Sequence, residues 1–323
     1  MALIAATQQL WLLELRSGSS KYKGGLRDWV LETDFRLDKS PTRRSTELFV
    51  HTNGKMIDAL NNELISYSSA SFESMRAVVP NKVEPKSSAW LVISNYYASY
   101  FAANALMRLF GHFCTNLDAR HTTTINETAS LYSISLPSAE KKRLSSGVYA
   151  GVFKSSSDPS VTLRSLESFK GGVHMQFWGG FHQFITELSQ QIPGCTLPRD
   201  ERDRALFELR AIKEGLAYDG YQSGGWLSEV RNSVNYRLEQ GVWHPYSNCE
   251  VDGKEFHKIV QKSFLQPMYP ISNLTTVPVL LRAAQLNASL VSWLYRSLEV
   301  LGDISSHQRR KCIVEGPLFV AKG

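Results

Sequence analysis

The chain has 323 residues, of which 43% are hydrophobic and 20% charged. That balance excludes a disordered chain and provides for one large or two ordinary domains around a sizeable core. The net charge of +6 permits contact with nucleic acid, but lysines and arginines are spread along the sequence, and the longest basic cluster is only Arg309-Arg310-Lys311. Cys114, Cys195, Cys249 and Cys312 are too few and too scattered for a disulfide framework, and no two lie at metal-ligand spacing. Reduced thiols in a cytoplasmic protein, with no metal, are the expectation.

The N-terminal MALIAATQQLWLLEL lacks a basic start and is interrupted by Gln8, Gln9 and Glu14. It reads as an amphipathic first helix and not as a signal peptide. A polar turn at Ser17 to Gly25 and an extended stretch ending in Glu47 to Val50 follow. From Lys55 to Tyr67, the recurrence of Met56, Ile57, Leu60 and Leu64 predicts a helix, with Asn53-Gly54 as the turn before it. Val79-Pro80 and Pro85 mark a linker. A central helix is predicted from Ala89 to Phe110, closed by Gly111. Between Ala89 and Met107 there is no charged residue, but Ser94, Asn95, Tyr96, Tyr97, Ser99, Tyr100 and Asn104 make the segment too polar for a bilayer span. A helix enclosed by other helices is expected, and no membrane. Ser94, Ala98 and Ala102, four apart, form a groove of small residues where another helix can approach.

Cys114 to Glu127 reads as a polar loop. Leu131 to Leu136 and Gly147 to Phe153 carry strand-like patterns, with a serine-rich loop from Ser155 to Ser160. Val173 to Gln191 crowds Phe177, Trp178, Phe181 and Phe184 together, an aromatic packing cluster with a helix break expected at Gly179-Gly180. His174 and His182 stand eight residues apart, about 12 Å by helical rise, too far to share a metal ion directly. Pro198 opens a helix with Asp200 and Glu201 in its first turn, as the helix dipole favours, and with Leu206, Leu209, Ile212 and Leu216 as its core face. Tyr218 to Gly225 is a glycine-rich turn. From Gly225 to Trp243, Leu227, Val230, Val234 and Leu238 form one apolar helical stripe, ended by His244-Pro245. Arg231 and Asn235 share a row at its edge, and Asn232 and Tyr236 share the next. Phe256, Ile259 and Phe264 suggest a short helix. Gln285 to Leu301 is the last amphipathic helix, with Gly302 as a stop, and Cys312 to Ala321 reads as a closing strand. No internal repeat is visible. There is no phosphate-binding loop, dinucleotide fingerprint, His-Glu-x-x-His or Gly-x-Ser-x-Gly, and no cofactor is expected.

Two of these stretches go together. Ser94 to Leu106 reads SNYYASYFAANAL, and its Tyr96, Tyr97, Ala98, Phe101, Ala102, Ala105 and Leu106 match one helix of the HEPN superfamily of helical proteins. Arg231, Asn232 and Tyr236 match the later arginine-bearing helix of that family, in the right order though after an unusually long interval. The resemblance implies a mainly α fold, a HEPN-like helical bundle with a mixed α/β insertion. Residues 1–127 would be its N-terminal half, including the central helix 89–110. Residues 128–195 would be the insertion, and 196–323 the C-terminal half with the Arg231 helix.

It also implies a metal-independent endoribonuclease, or a relative of one, from a prokaryotic anti-phage defence or toxin–antitoxin system. Such a protein would be a cytoplasmic homodimer with RNA and an operon-encoded protein as partners. By the resemblance, Arg231 faces the phosphate, Asn232 orients it, and Tyr236 stands where the family places a histidine. A phenol with a pKa near 10 is a weak base at neutral pH, and a neighbouring Arg231 or Arg237 would lower that value. The auxiliary candidates are Asn235, Arg237, His244 and His121. His244 lies about 20 Å beyond Arg231 along a continuous helix and would need the other subunit or a chain reversal to reach it. His121 falls in the loop after the central helix. The alternative from a different class is a non-catalytic HEPN-like module that dimerises, docks onto an operon partner or binds a nucleotide phosphate.

Overall fold

A computed structural model describes residues 2–17, 21–78, 87–169, 171–245, 251–265 and 277–322. The whole of the expected linker from Val79 to Pro85, and Cys249, lie outside them. The chain begins with two short helices, α1 (Ala2–Gln8) and α2 (Leu26–Leu31), and two strands, β1 (Phe35–Arg36) and β2 (Ser45–Val50). Helix α3 (Asn53–Arg76) runs well past Tyr67, because Phe72 and Met75 continue its buried face. Helix α4 (Ala89–Leu109) is enclosed along most of its length, as its uncharged sequence requires. Phe110 caps it, and Gly111 follows at φ +74°, a left-handed turn that glycine adopts without the Cβ penalty. The small residues do bring a neighbour close: Ala98 and Ala102 are fully buried, and Ser71 Oγ of α3 donates to the Ala98 carbonyl at 2.8 Å.

The segment read as a loop is regular. It forms strand β3 (His112–Leu117) and helix α5 (Ala119–Leu131). Thr122, Thr123 and Thr124 are weak helix formers, but Asp118 supplies the start by accepting from the backbone N–H groups of Arg120 and His121. Leu131 to Leu136 is not a strand. Leu131 ends α5, 83% exposed, and Ser133 at φ +59° turns the chain away. Strand β4 (Gly147–Lys154) lies where alternation placed it, and β5 (Ser160–Ser165) follows the serine-rich loop. The five strands among the described residues form one antiparallel sheet in the order β1-β2-β5-β4-β3, and β1, β2 and β3 come from before residue 128.

Helix α6 (Val173–Gln191) crosses Gly179 and Gly180 without a break. A Cβ on Gly179 would lie 2.5 Å from the Phe169 ring, and one on Gly180 would lie 2.9 Å from Cys114 Sγ on β3. The two glycines are there for close approach to the sheet and its flanking turn, so tertiary packing outweighs their low helix propensity. Helix α7 (Arg199–Leu216) buries Leu209, Ile212 and Leu216, with Leu206 half-buried.

Helix α8 (Trp226–Asn235) is shorter than its apolar spacing suggests. It stops at Asn235, and Leu238 (φ +55°), Gln240 (φ +70°) and Gly241 (φ +63°) fold the chain back. Leu238 is therefore 62% exposed instead of extending the buried stripe. Trp243 Nε1 then donates to the Val234 carbonyl at 2.7 Å, satisfying an acceptor that the helix end leaves open. Helix α9 (Gly253–Leu265) packs on α10 (Val279–Ile304), which in turn packs on α4. Gly302 is a buried residue inside α10 and not a stop. The last stretch is helical, as α11 (His307–Glu315) and α12 (Pro317–Lys322), where a strand was expected. The protein is thus mainly helical with a small antiparallel sheet. Among the described residues no helix is long and apolar enough to cross a membrane.

Candidate functional site

The site is assembled where α4, α6 and α8 meet. Tyr96, Tyr97 and Tyr100 stand on α4, His174 and Trp178 on the first two turns of α6, and Arg231 and Asn232 on α8. The apolar stripe of α8 (Leu227, Val230 and Val234, all buried) fixes the helix rotation, and Arg231 is carried inward at the edge of that stripe until only 6% of it is exposed. Its Nη2 donates to Tyr97 Oη at 2.8 Å and its Nη1 to Asn232 Oδ1 at 2.9 Å. Its Nε is buried with no hydrogen-bond partner. The guanidinium carbon sits 4.7 Å from the Tyr236 ring centroid, 5.7 Å from that of Tyr97 and 5.9 Å from that of Tyr96. Three phenol rings therefore surround the cation.

No carboxylate among the described residues pairs with Arg231. The nearest acid on its own helix, Glu229, is taken by Arg237, which also reaches Glu239 at 3.0 Å. Burial works against the charge, but the Tyr97 hydrogen bond and the surrounding phenol oxygens hold its pKa above the usual arginine value. The result is a nearly buried cation compensated by dipoles and π faces and not by an opposite charge.

His174 shares the same rings. Its imidazole lies 5.8 Å from Tyr96, 6.0 Å from Tyr97 and 4.7 Å from Tyr100, centroid to centroid. Trp178 Nε1 donates to Tyr96 Oη at 3.0 Å, and that oxygen stands 2.9 Å from His174 Nδ1. The contact allows either neutral tautomer, but only a phenol that donates to Nδ1 gives the Tyr96 O–H an acceptor among the described residues. With the phenol donating to Nδ1, Nε2 carries the proton. With Nδ1–H donating to a phenol oxygen that also accepts from Trp178, Nε2 is free to act as a base. Burial, followed by the charge of Arg231, brings the His174 pKa down to about 4. Burial pushes the Tyr96 phenol well above its ordinary range and the Tyr100 phenol up to about 12, so both stay neutral. At pH 7 the Arg231 cation thus stands beside a neutral imidazole and the neutral Tyr96 and Tyr100 phenols.

Of the residues read from the sequence, Arg231, Asn232 and the Tyr96-Tyr97 pair are brought together. Tyr236 caps α8 and is 67% exposed, with its ring against Arg231. Asn235 is half-buried in the last turn. His244 is exposed beyond the reversed chain, so the helical distance from Arg231 does not apply to it. His121 is not in a loop. It is buried in the first turn of α5, where Nδ1 lies 2.7 Å from Asp118 and Nε2 accepts from Arg27 Nε at 3.4 Å. His174, assigned to aromatic packing, is the group that sequence reasoning set aside. Its signal was faint: a histidine just after Gly171-Gly172, read only for its spacing to His182 and far in sequence from both motif blocks.

No family model, no curated protein and no solved structure matches the chain.

Proposed function

We propose that the chain is a HEPN-like, metal-independent endoribonuclease of a prokaryotic anti-phage defence or toxin–antitoxin system, acting in the cytoplasm as a homodimer. The observation that carries the reading is the state of Arg231: nearly buried, permanently charged, and without a carboxylate to neutralise it among the described residues. A phosphodiester is the anion that such a cation favours, and its developing charge is what a cleavage site must stabilise.

His174 takes the role that Tyr236 is poorly suited for. In the tautomer with Nε2 free, it accepts the proton of the ribose 2′-OH. The 2′-oxygen attacks phosphorus, the bond from phosphorus to the 5′-oxygen breaks, and that oxygen takes a proton from water or from the Tyr97 hydroxyl. The products are a 2′,3′-cyclic phosphate and a 5′-hydroxyl end. Arg231 reaches the phosphate by exchanging Asn232 or Tyr97 for it. The bound anion then opposes the effect of Arg231 on His174, raising its basicity when it is needed.

The test is labelled RNA incubated with purified protein in EDTA, beside Arg231→Ala. Cleavage by the wild type, lost in the variant, supports the enzyme. No cleavage by either contradicts it.

A second reading has its own support. Both Nη groups of Arg231 are engaged internally, while Tyr236 and Leu238 are exposed at the end of α8, and Trp90 at the start of α4 is 54% exposed with its ring against Trp243. That apolar rim suits a non-catalytic HEPN-like module that dimerises or docks onto an operon-encoded protein, with Arg231 bracing the interface. Dimerisation weakened by Leu238→Asp, with no RNA cleavage by the wild type, selects this reading.

A further inference from the structure

A second buried arginine with no carboxylate partner among the described residues lies outside this site. Arg282, in the first turn of α10, is 7% exposed, and its Nε and Nη2 are buried with no hydrogen-bond partner. Its guanidinium carbon stacks 3.9 Å from the Tyr218 ring centroid. No ion pair reaches it among the described residues. Arg282 and Tyr218 line an open cleft of about 430 Å³ between α7 and α10, together with Phe207, Arg210 and Glu214. Glu214 does not neutralise Arg282, because its Oε1 is bonded to Arg210 Nε at 2.7 Å. The charged side chains of the cleft are thus two arginines and one glutamate. The start of α10 adds the positive end of a long helix. Phe207 is 55% exposed, a large apolar ring beside the opening.

A cation held this deep is unfavourable unless it is paired, and a stacked phenol offsets only part of that. The arrangement is one half of a recognition site: charge at the cleft wall, a π face over it, and an apolar surface beside it. We propose that this cleft binds a small molecule carrying one carboxylate or phosphate on an aromatic or apolar body, with the oxyanion on Arg282 and the body against Phe207. The site is independent of the RNA-cleaving reading, and its test involves neither Arg231 nor RNA.

Phenyl phosphate, benzoate and inorganic phosphate are titrated separately into the full chain, and binding is followed by thermal shift and calorimetry. Phenyl phosphate or benzoate gives a saturable 1:1 response, and the pair distinguishes a phosphate head from a carboxylate. Inorganic phosphate alone binds at least tenfold more weakly, because it leaves Phe207 uncovered. Arg282→Met abolishes the response, and without ligand it melts at or above the wild type, because an unpaired buried charge has been replaced by an apolar side chain. Phe207→Ala, a change at an exposed ring, keeps the fold and weakens the aromatic probes several-fold. No saturable response to either aromatic probe overturns the proposal. So does an undiminished response in Arg282→Met. An Arg282→Met protein that unfolds far below the wild type overturns it too, because Arg282 is then a structural residue.

Discussion

Arg108 and Arg231 are both buried, one near the C-terminal end of α4 and the other on α8, which packs against α4. Arg108 donates from Nε and Nη2 to Glu63 Oε2 at 3.0 and 2.9 Å, from Nη1 to the Asn104 carbonyl and Oδ1, and from Nη2 to the Cys114 carbonyl. Every nitrogen is used and a carboxylate cancels the charge. Arg231 makes two hydrogen bonds, both to neutral groups, and leaves Nε unused. Two arginines of similar burial thus differ in whether the protein has spent their charge. Arg108 binds α4 to α3 and to the chain around β3, whereas the charge of Arg231 meets only neutral partners among the described residues.

Substitution separates the two most sharply. Arg108→Ala strands the Glu63 carboxylate, which is only 19% exposed, and should cost about 3–5 kcal/mol, read by urea denaturation. Arg231→Ala should leave the melting temperature much closer to wild type while cutting RNA cleavage on the order of 10²–10³-fold. If Arg231→Ala destabilises as much as Arg108→Ala, the contrast between the two residues disappears.

Tyr96→Phe sharpens the comparison from the histidine side. It removes the oxygen that accepts from Trp178 and touches His174 Nδ1. One buried donor is left unpaired, for about 1–3 kcal/mol by thermal melting, and the His174 tautomer is released. Cleavage should fall further than this modest loss of stability explains, because the ring nitrogen facing the phenol is no longer fixed.

The response to acid extends the comparison to the buried histidines. His174 and His112 are both brought down to about 4, chiefly by burial, against an ordinary 6.5 in the unfolded chain. Between those values the unfolded chain binds more protons. Stability therefore falls as pH drops from about 6.5 to 4, and these groups add no pH dependence above about 7. Denaturation midpoints at pH 7 and pH 4.5 measure this, and His112→Gln should reduce the difference. With His174 as base, kcat/KM should hold level from pH 7 to 5 and fall only as the pH approaches 4. A fall beginning near 6.5 would place the base elsewhere.

Much of this was legible from the chain. The uncharged run Ala89–Met107 is too polar for a bilayer and reads as an enclosed helix, and Ala98 and Ala102 marked where its neighbour would come close. The meeting of Arg231 with Tyr96 and Tyr97 was foreshadowed by two short blocks. The misreadings share one cause, that a local pattern was decided by a distant partner. Leu238 continues a helical spacing, but the chain turns at it because Trp243 returns to the Val234 carbonyl. Gly179 and Gly180 look like a break, yet the sheet and Phe169 need the space they leave. His174 became part of the site only because α6 packs beside α4 and α8, a placement to which no spacing in the sequence points.

The most direct test of the central claim is the chemistry of the RNA ends. A labelled RNA is incubated in EDTA with the wild type, Arg231→Ala and His174→Ala, beside the same RNA carrying 2′-O-methyl groups. The account predicts 2′,3′-cyclic phosphate and 5′-hydroxyl ends from the wild type alone, and none from the methylated strand. Cleavage that survives Arg231→Ala or 2′-O-methylation, or no cleavage by the wild type, would contradict it.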